Sequence, residues 1–329
     1  MDTADSLPPR AIAPDAPPWS PAQRVLAAGG LPLPGGGATA ERLRALAAAG
    51  AEDLSVARLA EGHADAVAIL AEAGREAQPQ TVYGVWAAVS GKTDVTATRD
   101  GETWRLSGVK QFCSGASLCD RALVRARADD DDLLFDVDLR QAGVAALDGT
   151  WPAVGMEGSD SRAVSFESVR MAADGVLGGP GFYVERPGFW HGGVGVAAVW
   201  FGGARGVLDA AAASLAPTAG DGELALLGSA VAHVEAMDAL LERAGREIDE
   251  DPQDRRGGAR RRALVTRHAL HAGAGAVLAA AAGAGGARPV SLEPDNARRV
   301  ADLYVYLAQH HPGRDGAALG RLSAARSPG

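Results

Sequence analysis

Apolar positions along the chain change their period twice. From Thr39 they fall at helical spacing, with Leu43, Leu46 and Ala47 on one face and Gly50 as the expected stop. A second helix places Val56, Leu59, Ala60, His63, Val67 and Leu70 on one face and ends at Gly74. Near Gln80 the period becomes two. Strands are expected at 81–88, 94–99, 102–106, 121–127, 133–139, 144–147 and 163–166, with Asp100-Gly101 as a hairpin turn and Asp129 to Asp132 as an acidic, solvated tip. After Gly181 the helical period returns, over 192–213, 224–248, 259–282 and 295–309. Before residue 39, proline and glycine recur and leave room for one short helix, Pro21 to Ala28. The expected fold class is α+β. An irregular arm and a shortened N-terminal helical domain fill 1–77, a compact antiparallel β domain 78–181 and a C-terminal helical bundle 182–329.

Composition narrows the function classes. The 329 residues are 47% hydrophobic, enough for a sizeable core, and the formal charge of −9 argues against non-specific nucleic-acid binding. The basic run Arg255-Arg256 and Arg260-Arg261-Arg262 reads as a solvated loop and helix start. Cys113 and Cys119, with no histidine at ligand spacing, read as reduced residues of a cytoplasmic protein, without disulfide or metal. Glu61, His63 and Asp65 read as a polar helix flank, not a metal set. The opening residues lack the apolar core of a signal peptide. The most apolar run, 269–287, is alanine and glycine, too weakly hydrophobic for a membrane span.

Candidate chemistry concentrates between Trp104 and Arg127. Two strands flank Gly108-Val109-Lys110-Gln111-Phe112-Cys113-Ser114-Gly115-Ala116. By strand alternation Phe112 and Ser114 share a face, where an aromatic ring and a hydroxyl suit a planar heterocycle and its edge atoms.

Lys110 to Ala116 resembles the flavin-contacting strand of the acyl-CoA dehydrogenases, commonly G-x-K-x-W-I-T-N-A. A second stretch, Trp151-Pro-Ala-Val-Gly-Met-Glu-Gly-Ser-Asp-Ser with Val164 to Met171 and Val176 to Gly179, is similar to the signature that closes that family's β domain. The likeness runs from about Leu43 to Leu319 and implies the family's three-part architecture. It also implies an FAD lying against Phe112 and Ser114, with Cys113 between them and Trp86 and Ala87 on the neighbouring strand. The implied substrate is a small molecule, an acyl thioester by the family's habit. The implied assembly is a homodimer or homotetramer, and the small apolar residues of 192–213 and of the helix after Ala259 also point to self-association.

Several family parts are missing. The usual base is a glutamate near the C-terminus, but Tyr304 to Asp315 holds none, and an ungapped comparison puts His310 at that position, with His311 beside it. The helix after the β domain has nothing ionisable between His191 and Arg205. The flavin-cradling loop T-E-P-x-x-G-S-D is replaced by Trp86 to Asp94, where Ser90 and Thr93 supply hydroxyls. The R-x-x-F-G pattern that holds the adenine side is absent after Ala216. Three readings follow: a divergent flavin-dependent dehydrogenase using His310 or His311 as base, a flavin monooxygenase-like enzyme on a non-thioester substrate, or a non-catalytic member kept as a binding module. The two histidines also fit a helix C-terminus, favoured by its dipole. His191 is either substrate-facing or hydrogen-bonded to backbone at a helix start.

Overall fold

The computed structural model describes residues 21–89 and 94–325. The first twenty residues of the arm, and the Ser90 and Thr93 hydroxyls, lie outside the described residues. Three helices open the fold: α1 (Pro21–Ala28), α2 (Thr39–Glu52) and α3 (Leu54–Glu72). The Asp53 carboxylate caps α3 by accepting from the Val56 amide at 3.0 Å.

Eight strands follow: β1 (Tyr83–Trp86), β2 (Val95–Asp100), β3 (Thr103–Cys113), β4 (Arg121–Ala128), β5 (Asp131–Asp138), β6 (Val144–Ala146), β7 (Arg162–Met171) and β8 (Val176–Leu177). They form one sheet in the order β6-β7-β3-β2-β4-β5-β8, with β1 on β4. Most pairings are antiparallel, as expected, but β1 runs parallel to β4, and β2 meets β4 in parallel at one residue pair. The chain crosses from β1 through the β2–β3 hairpin before returning as β4, so β1 and β4 point the same way. Trp86 and Ala87 therefore do not lie on the strand beside Phe112 and Ser114.

The helical part comprises α4 (Phe182–Glu185), α5 (Pro187–Ser214), α6 (Asp221–Glu250), α7 (Ala259–Gly285), α8 (Arg288–Ser291), α9 (Pro294–Leu307) and α10 (Pro312–Ala324). Prolines in the first turns of α5, α9 and α10 pre-set the helical φ where no donor is needed. The sequence pattern did not separate α10 from the end of the chain. Gly50 does not stop α2 but lies within it. A Cβ there would sit 2.5 Å from the Val199 carbonyl oxygen, and one on Gly202 would collide with the Ala47 carbonyl. The glycines let α2 and α5 cross at backbone contact. The small residues of α5 are thus consumed inside the chain and do not by themselves argue for self-association.

Both α5 and α6 are long and apolar enough to cross a membrane by composition, yet 78% of the apolar window in α5 is buried within the fold. In α6 that share is 22%, and Leu224, Leu226 and Val231 face solvent.

Candidate functional site

The two glycine-containing stretches that carry the flavin-strand resemblance meet in space. The Gly115 amide donates to the Ser159 carbonyl (2.8 Å) and the Ala116 amide to the Asp160 carbonyl (3.1 Å). Asp160 also accepts from the Ser117 amide and hydroxyl and from Arg162. At this end of β3 the register slips between Lys110 and Cys113, where three β3 residues span two on β7. Phe112 occupies the left-handed region at φ 58°, a conformation that costs a non-glycine residue about 1 kcal/mol or more. The bulge breaks the alternation expected from sequence. Phe112 is turned outward and 59% exposed, whereas Cys113 and Ser114 are buried. Burial pushes the Cys113 thiol far up and that of Cys119 up to about 12, so neither is a ready nucleophile. Trp86 remains part of this corner through its side chain: its buried indole Nε1 donates to the Ser114 carbonyl at 3.0 Å. Ala87 follows β1, half-buried.

Beneath this corner runs a chain of hydroxyls. Ser114 Oγ lies 2.8 Å from Ser161 Oγ, and Ser161 Oγ lies 2.8 Å from Ser159 Oγ, which donates to the Met156 carbonyl at 2.8 Å. Each serine has one proton. With the Ser159 proton on a carbonyl, Ser161 must donate to Ser159 and Ser114 to Ser161. Ser114 is left as an acceptor toward any ligand. A platform of exposed Phe112 beside such an oxygen fits a planar ring that carries an N–H.

A second concave region lies among the helices: a cleft of about 500 Å³ whose lining includes Glu61, Asp65, Tyr183, Arg186, Trp190 and Arg267. Glu61 and Asp65, one turn apart on α3 and expected as a polar helix flank, are buried and half-buried. Glu61 is 4% exposed, its Oε2 accepts from Arg58 at 2.7 Å, and burial pushes its carboxyl up to about 7. His63 points elsewhere and accepts at Nδ1 from the Tyr83 amide, 3.2 Å. Among the described residues no group of His, Cys, Asp and Glu is arranged to hold a metal ion.

The two candidate histidines are elsewhere. His191 Nε2 donates to the Pro252 carbonyl at 3.0 Å, in line with the backbone-bonded reading, though the carbonyl is on the distant α6–α7 connection. His310 is 3% exposed and packs its ring against Trp200, His268 and His271, with centroids 5.9, 5.7 and 4.7 Å away. Neither histidine lines the cleft. The helix-dipole reading of His310 gives way to burial, which with Arg267 and His271 nearby lowers its pKa to about 4. An unfolded histidine titrates near about pH 6.5. The stability His310 confers is therefore complete above that value and is lost as pH falls toward 4. Urea midpoints measured at pH 7 and pH 5 should drop less for His310→Gln than for wild type. Equal drops would remove His310 from the acid response.

The middle-domain model of the acyl-CoA dehydrogenases matches residues 86–169. A butyryl-CoA dehydrogenase of Megasphaera elsdenii superposes with a TM-score of 0.73 at 17% identity, covering 86% of this chain and 81% of that one. Residues 86–169 thus match an acyl-CoA dehydrogenase middle domain, and the chain around them has the acyl-CoA dehydrogenase-like fold.

Other similarities of this acyl-CoA dehydrogenase-like protein are to monooxygenases. The dibenzothiophene monooxygenase of Rhodococcus erythropolis is 34% identical over 134 residues, 36% of this chain and 32% of that protein, so the match spans about a third of the relative's length. The FMN-bound dibenzothiophene monooxygenase TdsC from Paenibacillus sp. A11-2 has a TM-score of 0.78 at 20% identity, covering 88% of this chain and 85% of that one. FAD is therefore not singled out among flavins. Sequence reading of this acyl-CoA dehydrogenase-like protein missed Ser159, Ser161 and the cleft. The serines were legible as part of the second motif. Glu61 and Arg267 join the cleft only through helix packing.

Proposed function

We propose that this chain is a flavin-dependent monooxygenase that takes its flavin reduced, with the ring edge against Ser114 and one face beside Phe112. The observation that carries this reading is the direction of the hydroxyl chain. N5 of an oxidised flavin is an acceptor and finds no donor at Ser114, whereas N5–H of a reduced flavin finds an acceptor. The similarity to dibenzothiophene monooxygenases supports the same class. So does the lack of a carboxylate at either place where the resemblance expects a base. FMN suits the chain better than FAD, because the pattern that holds the adenine half is missing from the sequence.

The bound cofactor supplies two electrons with which dioxygen is divided between an oxygenated product and water. The chain's own contribution is to position: Ser161, Ser159 and the Met156 carbonyl fix the Ser114 proton, and the Trp86 indole holds the Ser114 carbonyl. Met156 is itself anchored, since its amide donates to Asp302 Oδ1 of α9 at 2.5 Å. The hydroxyl chain is thereby tied to the helical bundle.

Anaerobic titration should give reduced FMN the lower Kd. Ser161→Ala frees the Ser114 proton to donate, and the preference should shift toward oxidised FMN by up to about tenfold, the value of one neutral hydrogen bond. An unchanged ratio in Ser161→Ala would show that Ser114 does not face N5.

A further inference from the structure

We propose that the cleft framed by α3, α5, α7 and α10 binds a planar aromatic molecule bearing an acidic group. The role of that molecule as substrate rests on the monooxygenase reading, but its binding does not. One wall of the cleft is aromatic. Tyr183, Phe189 and Trp190 meet edge to face, at 5.5 Å and then 5.1 Å between centroids. Such a stack offers ring faces and edges to another ring. The volume of about 500 Å³ suits two or three fused rings.

The charge of the lining decides what substituent the ring carries. Five arginines line the cleft against three carboxylates. Glu61 has Arg58 at 2.7 Å and Asp315 has Arg314 at 2.9 Å and His310 at 3.4 Å, whereas Asp65 lies 4.0 Å from Arg186, which already binds Glu72, and its buried Oδ1 makes no hydrogen bond. Arg260, Arg267 and Arg321 have no carboxylate within ion-pair distance among the described residues. Arg260 is exposed and lies over the Trp190 ring at 5.7 Å, so its charge sits beside the aromatic wall. Arg267 is held over Trp200 at 4.7 Å and donates one N–H to the Gly193 carbonyl.

A separate observation points to a missing acceptor. Arg186 is 6% exposed and lines the cleft, yet its buried Nε makes no hydrogen bond. Its Nη1 is taken by Glu72 at 2.5 Å. A buried N–H donor without an acceptor is costly unless something fills the site. A sulfonate, sulfinate or carboxylate oxygen on a ring seated against Trp190 satisfies it and the free guanidinium charge together. Arg260 is exposed in the first turn of α7, as the sequence reading placed it, and its guanidinium also lies over Trp190.

The test uses the purified full chain, naphthalene-2-sulfonate, and 2-naphthalenemethanol as a neutral ring of similar size. Calorimetric titration at low salt should give the sulfonate an affinity at least about tenfold higher, the usual value of charge-assisted hydrogen bonds. Arg260→Gln, a change at an exposed position, should reduce that preference and leave binding of the alcohol unchanged. Saturating FMN should not displace the sulfonate. Equal affinities for the two compounds, or a preference untouched by Arg260→Gln, would overturn the proposal. Displacement by FMN would overturn it too, by making the cleft the flavin's own seat. Sulfonate binding without any flavin binding would sink the monooxygenase reading alone.

Discussion

Gly202→Ala should unfold this protein at markedly lower denaturant than wild type. Helix propensity alone favours alanine by about 1 kcal/mol. At this position the added methyl meets the Ala47 backbone carbonyl of α2, which cannot rotate away as a side chain can. Overpacking of this kind costs about 1–3 kcal/mol and more where backbone must move, so the clash wins. Gly228→Ala is the matched control. It lies in α6 with no atom within 4 Å of a new Cβ, and should be neutral or slightly stabilising. Urea unfolding of the two variants reads the difference directly. A Gly202→Ala protein as stable as Gly228→Ala would mean that α2 and α5 do not cross at backbone contact.

The second large effect belongs to Asp94→Ala. Lys110 on β3 is 1% exposed, and its ammonium is held by Asp94 at 2.5 Å and the Arg125 carbonyl at 2.9 Å. Arg125 shares the same carboxylate at 3.1 Å and reaches Asp132 at 2.6 Å. Burial already lowers the Lys110 pKa, and Asp94 is the main influence opposing it. Removing the carboxylate strands a cation inside the sheet, a change that costs about 3–5 kcal/mol. Replacing both partners, in Asp94→Ala/Lys110→Met, should recover much of that loss, because buried Arg125 keeps Asp132 and no buried charge is left unpaired. Since β3 ends in the bulge at Phe112, Asp94→Ala should also weaken flavin binding, and the double variant should restore part of it. A double variant no more stable than Asp94→Ala would show that the cost lies in packing around Asp94, not in the stranded charge.

Local pattern carried the architecture a long way. The switch to period two near Gln80 and back after Gly181 marks the sheet from β1 to β8 and its helical flanks. Hydrophobic alternation and helical spacing are short-range properties, so they survive in the sequence as written. The two motifs at Lys110–Ala116 and Trp151–Ser161 were legible for the same reason, and they lie together in the folded chain. The direction in which Phe112 points was not legible. A bulge depends on how two strands about fifty residues apart in the chain happen to align, and alternation within one strand cannot reveal it.

The remaining site features were decided by tertiary packing. Gly50 looked like a helix stop because glycine often is one, whereas here it is the place where α2 touches α5. His310 sat at the position of a base in a linear comparison, but packing buried its ring against Trp200 and His271, behind Asp315 of the cleft lining, whose Oδ2 is 3.4 Å from its Nδ1. Glu61 looked like a surface charge on an amphipathic helix until α5, α7 and α10 closed around it. Sequence by itself determined the order of elements, the strand end that resembles a flavin seat, and the absence of a family base. The outward turn of Phe112, the committed proton of Ser114 and the arginine-and-aromatic cleft came only with the fold. Their residues are far apart along the chain, and only burial sets what each side chain meets.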